Sequence, residues 1–497
     1  MKKGVSMTRS SHSRRNRRES KNPRSVLTIV NSVLLVLYGV LSLYTLYTMY
    51  SYNFLAFRYV NVLLTVVLLA VLVVSLVLLL LRRAPKTTTT LLALFSVVTC
   101  AILFAFRSAI NLGESLNKST FYSEVEMSVV VPKDSSITSI DQVTTVDAPN
   151  SSDSENITAL LDKVKSDKGV SLKTTEVDSY QKAYTNLMSG SSQAMVLNSA
   201  YSSLLELQDK DFSSNLKTLY TYKVKKATKS TATSTDKDRF NIYVSGIDTY
   251  GSISTVSRSD VNIIMTVNLK THKILLTTTP RDSYVQIPDG GNNQYDKLTH
   301  AGIYGVDTSR KTLENLYGIT IDYYVRLNFT SFLKLIDAIG GITVYNDQAF
   351  TSYTNKNYSF EVGNVTLDSA GALAFVRERY SLENGDNDRG KNQEKVISAI
   401  VNKLVSLNSL TKLSTIVSNL QDSIQTNMPL SDIMEIANSQ LSSNDKFTVT
   451  SQAVTGTGST GELTSYAMPS ASLYMMQLNQ DSIDKAKSAI NATLNVN

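Results

Sequence analysis

Three long runs of apolar residues lie near the start of the chain. In residues 62–81 only two side chains are polar, and at about 1.5 Å per helical residue such a run crosses a hydrocarbon layer of about 30 Å. Residues 25–50, which end in tyrosines typical of a lipid–water interface, and residues 91–110 repeat the pattern. The pattern predicts three transmembrane helices within residues 25–111.

The apolar runs that follow are shorter and alternate between the periods of strands and helices. This alternation indicates a small α/β accessory domain at residues 112–225. Residues 226–238 are rich in Ser, Thr and Lys and lack apolar periodicity, as is typical of a linker. The predicted elements of the accessory domain are strands at 124–131 and 170–177 and helices at 157–166, 180–189 and 199–208.

A second, larger domain is predicted at residues 239–497. Residues 329–339 carry apolar side chains at helical spacing, and Gly340 and Gly341 follow them as a signal that ends a helix. Such apolar stripes form a core or line a cavity for a lipid tail. With strands predicted at 240–247, 261–269 and 273–279, the pattern indicates a mixed α/β domain in which helices flank a central sheet.

The basic charge of the chain is concentrated at its start. The net charge of +7 divides into +8 for residues 1–24, +5 for residues 25–111 and −6 for the remainder. The basic tail is therefore predicted to be cytoplasmic, and three crossings place the later domains outside the cell. An acidic remainder gives no support to nucleic-acid binding. The single cysteine, Cys100, lies in an apolar run and excludes an intramolecular disulfide and a Cys-based metal site.

Charged residues gather where the predicted strands of the larger domain begin and end. Asp248 follows the first strand, while Arg258 and Asp260 are two residues apart and so share one face of the next. Arg281 ends the third strand, a position at which ligands commonly meet α/β sheets. Two acids of this kind suit a hard divalent ion such as Mg²⁺, which prefers few protein carboxylates together with substrate phosphates.

Further candidates lie later in the domain. Arg377 and Arg379 are predicted to share the face of a strand, where like charges repel unless an anion lies between them. Arg389 and Gln393 point inward from the first turn of a predicted helix, and a helix N-terminus is itself an anion site. Because arginine forks match phosphate oxygens, the set predicts a site for a pyrophosphate-bearing substrate.

Each of these patterns also has a structural reading. Arg258 with Asp260 fits a surface ion pair, and Arg377 with Arg379 fits solvated charges at a sheet edge. Asp386 and Asp388 fit a helix cap as well as a ligand position. His300 fits a structural hydrogen bond better than a general base.

Several motifs together resemble one known family, LytR-CpsA-Psr. The subtype with three membrane helices and an extra domain before the core resembles the capsule-associated proteins of streptococci, and the resemblance covers essentially the whole chain. The motifs are GIDTYGSISTVSRSDVNIIMTVNLKTHKILLTTTPRDSYV, KLTHAGIYGV, LIDAIGGITV, and ALAFVRERY with DNDRGKNQ.

The resemblance implies transfer of a capsular or wall glycopolymer from a polyprenyl-pyrophosphate carrier to peptidoglycan. It implies Mg²⁺ as cofactor, with Mn²⁺ as an alternative, held by Asp248 and Asp260, and pyrophosphatase as a side activity. The implied partners are the lipid-linked glycan, peptidoglycan, membrane lipid and other capsule-assembly proteins. The implied pyrophosphate ligands are Arg258, Arg281, Lys297, Arg377, Arg379, Arg389 and Gln393, and the implied catalytic set is Asp248, Asp260, Arg258 and Arg281.

Two points stay open in the sequence. The family often has an arginine directly before the glutamine, and Asn392 occupies that position here. The alternative function is a membrane-bound regulator, a transcription attenuator of capsule genes or a control of capsule chain length, acting through the cytoplasmic tail and the accessory domain. The tail shows no helix-turn-helix pattern, and the positive-inside rule alone explains its charge.

Overall fold

The computed structural model describes residues 23–118, 122–227, 236–247, 249–250, 252–405, 416, 419–420, 423–442 and 447–495. It forms two compact units, Met1–Arg107 and Ser108–Asn497. The three apolar runs predicted near the start are helices α1 (Pro23–Ser51), α2 (Val60–Leu80) and α3 (Pro85–Lys118). By length and composition each is able to cross a membrane.

The second unit begins with a five-stranded sheet in the order β3-β2-β4-β1-β5, in which β1 is antiparallel to both of its neighbours. The predicted strands 124–131 and 170–177 are β1 and the shorter β3, and the predicted helices are α4, α5 and a 3-10 turn followed by α6. The elements are β1 (Tyr122–Pro132), β2 (Thr145–Ala148), α4 (Asn150–Lys168), β3 (Lys173–Glu176), α5 (Tyr180–Met188), β4 (Met195–Asn198), α6 (Ser202–Gln208) and β5 (Leu216–Ala227). Residues 228–235 of the predicted linker lie outside the described residues.

A six-stranded sheet in the order β16-β11-β6-β7-β8-β17 organises the rest of the unit. Its strands are β6 (Arg239–Ile247), β7 (Ser259–Asn268), β8 (Lys273–Thr278), β11 (Tyr323–Leu327), β16 (Gln425–Thr426) and β17 (Thr448–Ala453). Short ladders surround it: β9 (Tyr284–Ile287), β10 (Gln294–Lys297), β12 (Ile342–Asn346), β13 (Phe350–Thr351), β14 (Ser359–Phe360), β15 (Gly363–Leu367), β18 (Gly456–Thr460) and β19 (Tyr474–Leu478). The helices are α7 (Val306–Tyr317), α8 (Phe329–Ile339), α9 (Ser369–Arg377), α10 (Asp386–Val405), α11 (Leu430–Ser442) and α12 (Gln480–Leu494).

Strand alternation sends the buried side chains of this sheet to two faces. Tyr243 and Ile264 pack into a cluster with residues of α7 and α12, whereas Ile242 and Ile263 pack into another with residues of α10 and α11. Helices therefore cover both faces, and the predicted mixed α/β fold is confirmed.

The strand directions bring one set of chain ends to the same edge of the sheet. β6 is parallel to β11 and antiparallel to β7, and β7 is antiparallel to β8. The ends of β6, β8 and β11 therefore meet the start of β7. Asp260 at that start and Arg281 just after β8 come together for this reason.

Strand β1 of the five-stranded sheet is hydrogen bonded to the loop that precedes β7 of the six-stranded sheet. The amide of Glu124 donates to Ser254 O at 3.0 Å, and the amide of Val256 donates to Glu124 O at 3.3 Å. Val256, Ile303 and Met468, from the larger domain, are buried in the apolar cluster of the first sheet. The accessory and larger domains thus share part of one core.

Candidate active site

An ion pair at the edge of the six-stranded sheet forms the centre of the site. Arg281 Nη1 donates to Asp260 Oδ1 at 3.0 Å, and the Thr299 hydroxyl donates to the same oxygen at 3.0 Å. The side chains of Asp260 and Arg281 are 18% and 12% exposed, so this is not an exposed surface pair. The carboxylate is fixed by two segments that are distant in sequence.

The charges around Asp260 determine its protonation. Burial alone would raise the pKa of this carboxyl group, but the charges of Arg281, Arg258 and Arg389 outweigh that effect and hold the pKa well below its usual range. Asp260 is therefore a carboxylate at neutral pH and a weak proton acceptor, whereas it remains a good ligand for a cation.

A second buried ion pair lies beside the first. Lys297 Nζ contacts Asp282 Oδ1 at 2.5 Å, and Arg281 Nε lies 3.8 Å from the same oxygen. Burial raises the pKa of Asp282, but the charges of Lys297 and Arg281 prevail and lower it. Arg281 is held between two carboxylates, which fixes the direction of its guanidinium group.

Three cavities meet at Arg281. We call the first the apolar cavity; its volume, including the space at its open end, is about 1120 Å³. Its apolar part is lined by Leu327, Phe332, Leu373, Val376, Val396 and Ile397. Its polar end contains Asp260, Arg281, Arg377, Arg379, Arg389 and Gln393. A long apolar wall that ends in four arginines suits a molecule with an apolar chain and an anionic head.

The other two cavities extend from the same arginine. The polar cavity is lined by Asp260, Arg281, Arg389 and Gln393 together with Thr278 and Thr455. The outer groove is lined by Arg258, Arg281, Lys297, Thr299, His300 and Arg379, and by Leu207 from the accessory domain. Every described residue that the sequence proposed for the pyrophosphate site lines at least one of the three cavities. Asp248 lies outside the described residues.

The strand predicted around Arg377 and Arg379 is wrong. Asp368 caps helix α9 by accepting from the amide of Gly371, and the helix continues to Arg377, so the two arginines stand at its end and just beyond it. Arg377 lies over the ring of Phe329 at 4.5 Å. Glu378, between the arginines, is buried and accepts from the amides of Arg379 and Ser381 at 2.9 Å. Both arginines nevertheless reach the apolar cavity.

Helix α10 brings Arg389 and Gln393 to the same cavity, one turn apart on one face. Asn392, at the position where the family often has arginine, is 4% exposed and lines neither the apolar cavity nor the polar cavity. Asp388 accepts from Gln348, Asn384 and Lys391. Burial raises its pKa, but these hydrogen bonds lower it to about 2. The side chain of Asp386 lies outside the described residues.

His300 lines the outer groove but is 1% exposed. Its Nδ1 lies 2.8 Å from Asp296 Oδ1, and Asp296 also accepts from Ser465 and from the amide of Ala467. The structural hydrogen bond predicted for His300 is present.

A divalent ion at Asp260 would need substrate oxygens as further ligands. Among the described residues, no group of three or more His, Cys, Asp or Glu side chains could hold a metal. Both hydrogen bonds that the described residues give to the Asp260 carboxylate go to Oδ1. One ionised carboxylate beside a cavity for an anion fits Mg²⁺, which keeps few protein ligands and takes phosphate oxygens.

Sequence reasoning missed two residues that fix side chains of this site and one that holds the segment leading to Arg258. Thr299 fixes Asp260, Asp282 fixes Lys297, and the buried Arg326 donates to the carbonyls of Ile253 and Thr255 at 2.9 Å. Asp282 follows Arg281 directly, so the Arg-Asp pair at a strand end was a usable signal. The roles of Thr299 and Arg326 depend on contacts across 39 and more than 70 residues and have no local signature.

Comparison with known proteins shows the family of the chain. A model of the LytR_cpsA_psr family matches residues 207–486, more than half of the chain. The chain belongs to the LytR-CpsA-Psr family. A second model, DNA polymerase processivity factor, matches residues 82–197, which is less than a quarter of this LytR-CpsA-Psr protein. That match includes the whole of helix α3.

Two relatives are named as polyisoprenyl-teichoic acid–peptidoglycan teichoic acid transferases. TagU of Enterococcus faecalis is 36% identical over 43% of this chain and 70% of its own length. TagT of Bacillus subtilis is 33% identical over 52% of this chain and 78% of its own length. The solved structure of TagT bound to LI-WTA is 29% identical, with a TM-score of 0.42, and covers 53% of this chain and 94% of its own.

Proposed function

We propose that this protein transfers a glycopolymer from a polyprenyl-pyrophosphate carrier to peptidoglycan. The observation that carries the proposal is the apolar cavity, whose wall of aliphatic and aromatic side chains ends at Arg281, Arg377, Arg379 and Arg389. A polyprenyl chain buries its methylene groups along such a wall while the pyrophosphate meets the arginines. The transferase names of the relatives support the same activity.

The arginines bind and polarise the pyrophosphate. A sugar hydroxyl of peptidoglycan attacks the phosphorus attached to the glycan, a new phosphorus–oxygen bond forms, and the bond to the bridging oxygen breaks. The lipid leaves as a monophosphate, and the hydroxyl proton is released. Arg281 and its neighbours neutralise the charge that develops on the leaving phosphate, in a partly buried site where such interactions are strong.

Mg²⁺, or Mn²⁺ in its place, would be held by Asp260 and Asp248 together with the substrate phosphates. When bound it would neutralise phosphate charge and lower the pKa of a bound hydroxyl. The low pKa of Asp260 favours a ligand role for this residue over a role as general base. Hydrolysis of the carrier would follow when water replaces the sugar hydroxyl.

The proposed transfer also requires the site to lie on the outer side of the cell membrane, where peptidoglycan is found. The basic residues 1–24 and the three apolar helices favour an N-terminus in the cytoplasm, with the rest of the chain outside the membrane. The transfer needs no ATP there, because the pyrophosphate bond supplies the driving force.

The test uses the full-length protein in lipid nanodiscs with Mg²⁺, a radiolabelled polyprenyl-pyrophosphoryl oligosaccharide and peptidoglycan. We expect Arg281→Ala to lower glycan attachment by about 100-fold or more, as the loss of one positioned charge donor does elsewhere. The exposed Lys485→Ala, on α12, is the matched control and keeps wild-type activity. Equal attachment by wild type and Arg281→Ala would refute the site, and an arm without peptidoglycan measures hydrolysis.

A further inference from the structure

A polar cleft is lined by residues of both the accessory domain and the larger domain, and it is distinct from the three cavities of the candidate active site. The start of α4 and Asn198, at the end of β4, line one side, and residues 289–290, 303–304 and 308 line the other. It encloses about 1100 Å³, close to the 1140 Å³ of the polar cavity. None of its lining residues lines the three cavities that meet at Arg281. We call it the interdomain cleft.

The walls of the interdomain cleft are fixed to one another. At its base the backbone of Glu124 is hydrogen bonded to Ser254 and Val256, and Val256 and Ile303 are buried in the apolar cluster of the accessory domain. The cleft is therefore formed by packed elements, and its shape exists before any ligand arrives.

A cluster of buried polar side chains lies inside it. Asp153 accepts from Tyr180 Oη at 2.6 Å, from Asn156 Nδ2 at 2.7 Å and from Asn198 Nδ2 at 2.8 Å. Asp153 interrupts α4 with non-helical φ and ψ angles of −141° and 36°. Three donors and a local break in a helix hold one carboxylate in place at the wall of the cleft.

Asn156 leaves one acceptor unused. Its side chain is 6% exposed and lines the cleft, and within the described part of the chain Oδ1 has no hydrogen-bond partner. A buried acceptor without a donor is unfavourable, because it has lost its hydrogen bonds to water. A ligand hydroxyl or amide group would supply the missing donor.

The surroundings favour a neutral ligand rich in hydroxyl groups. The acidic side chains near the rim already have cationic partners, since Glu155 pairs with Lys226 and Asp289 with Lys311, each at 2.8 Å. Hydroxyl groups supply much of the remaining lining: Ser151, Ser152, Ser154, Tyr201, Tyr304 and Thr308. Such groups donate to and accept from sugar hydroxyls, and tyrosine rings offer flat apolar faces.

We propose that the interdomain cleft binds a neutral saccharide segment. This chemistry occurs both in peptidoglycan strands and in uncharged stretches of a transferred glycan. The proposal does not depend on the transfer reaction, because the cleft has its own lining. The 3-10 segment Leu298–Tyr304 connects the candidate active site to the interdomain cleft. Its Thr299 donates a hydrogen bond to Asp260, and its Tyr304 lines the cleft.

Binding is tested on the full-length protein in nanodiscs by calorimetry, with two neutral probes: chitotetraose, which carries the N-acetylglucosamine units of a peptidoglycan strand, and maltotetraose. Tripolyphosphate is the anionic probe. We expect at least one neutral probe to bind, and Asn156→Ala to weaken its binding at least 10-fold. Because this variant also loses the donation to Asp153, its melting temperature is measured as well. The exposed Asn357→Ala is the matched control and binds as wild type.

Two further variants separate this site from the active site. Ser154→Trp, at an exposed position on the rim, should block the saccharide even if Asn156→Ala folds poorly. Arg281→Ala should lose tripolyphosphate and keep the saccharide. Binding of chitotetraose alone would identify the acceptor strand as the source, and binding of maltotetraose alone would point to the transferred glycan. The proposal fails if no neutral probe binds, or if binding survives both cleft variants.

Discussion

Gly302 lies against the backbone of Arg258 so closely that a Cβ atom on Gly302 would stand 2.9 Å from the Arg258 carbonyl carbon. The same atom would stand 2.5 Å from Ser257 O and Ser259 N. Real Cβ atoms do not approach backbone this closely, so either the segment before β7 or the 3-10 segment around Gly302 would have to move. Both segments carry candidate active-site residues, Arg258 with Asp260 on one and Thr299 on the other.

Gly302→Ala is therefore expected to damage both stability and pyrophosphate binding. Overpacking of this kind costs about 1–3 kcal/mol of unfolding free energy, and we expect at least a 10-fold weaker affinity for a pyrophosphate probe. Chemical denaturation and calorimetry measure the two effects. Gly390→Ala, whose added Cβ meets no atom within 4 Å, is the control for stability alone. Wild-type values for Gly302→Ala would contradict the close packing.

Asp260→Asn separates binding from turnover. The variant removes a negative charge that faces three arginines, so pyrophosphate should bind without Mg²⁺ at least as tightly as to wild type. Transfer should fall by about 100-fold or more, because the carboxylate proposed to hold the ion is lost. Equilibrium binding with and without Mg²⁺ and a transfer assay give the two readouts. Parallel losses of binding and turnover would argue against the ligand role.

The low pKa of Asp260 also sets an expectation for pH. A carboxyl group whose folded pKa is depressed adds stability above its unfolded pKa of about 3.9, and that stability is lost as the pH falls through the folded value. Asp260 is thus ionised from pH 5 upward. Any acidic limb of the transfer rate between pH 5 and 8 should remain unchanged in position when Asp260 is replaced by Glu.

Leu373→Trp should shorten the apolar cavity, because Leu373 lines it from α9. Each methylene group excluded from the cavity costs about 0.8 kcal/mol. We expect KM for a carrier of 55 carbons to rise at least 10-fold, while a carrier of 10 carbons is affected much less. The exposed Val362→Trp is the control for added bulk. An equal effect on both carriers would mean that the chain lies elsewhere.

Asp388→Asn tests how one carboxylate contributes to the free energy of unfolding. The folded pKa of Asp388 is about 2, below the unfolded value of about 3.9, so its stabilising effect is present above pH 4 and fades as the pH approaches 2. We expect the variant to lose about 1–2 kcal/mol at pH 7 and progressively less below pH 4, as urea denaturation would measure. The exposed Asp134→Asn is the control, and its free energy of unfolding should stay close to that of the wild type. A difference independent of pH would refute this explanation.

Local periodicity predicted the fold well where an element's pattern was strong. The helix at 329–339 and the strands before it are present because their apolar side chains repeat with one clear period. The α9 helix was predicted as a strand around Arg377 and Arg379, because two charges two residues apart imitate the alternation of a strand. The alanines and glycine of residues 369–374, preceded by the N-cap Asp368, indicated a helix instead.

The candidate site was predictable as a set of residues and only partly as a geometry. Motifs and strand ends identified Arg281 and Asp260. The hydrogen bond between them, however, joins residues 21 positions apart, and Thr299, which also donates to Asp260, lies 39 positions from it. Such pairings depend on sheet register and on which segment packs against which edge. A single sequence contains no local signal for them.

The hydrogen bonds between Glu124 and residues 254–256, with the core that the two domains share, predict that the described parts of residues 108–497 unfold as one cooperative unit. Heat should melt this part of the chain in a single calorimetric transition. Cutting away the accessory domain would remove apolar cover from Val256 and Ile303 and leave the carbonyl of Ser254 and the amide of Val256 without these partners, close to Arg258 in sequence. Its contribution to the protein is therefore better dissected by point substitutions than by deletion.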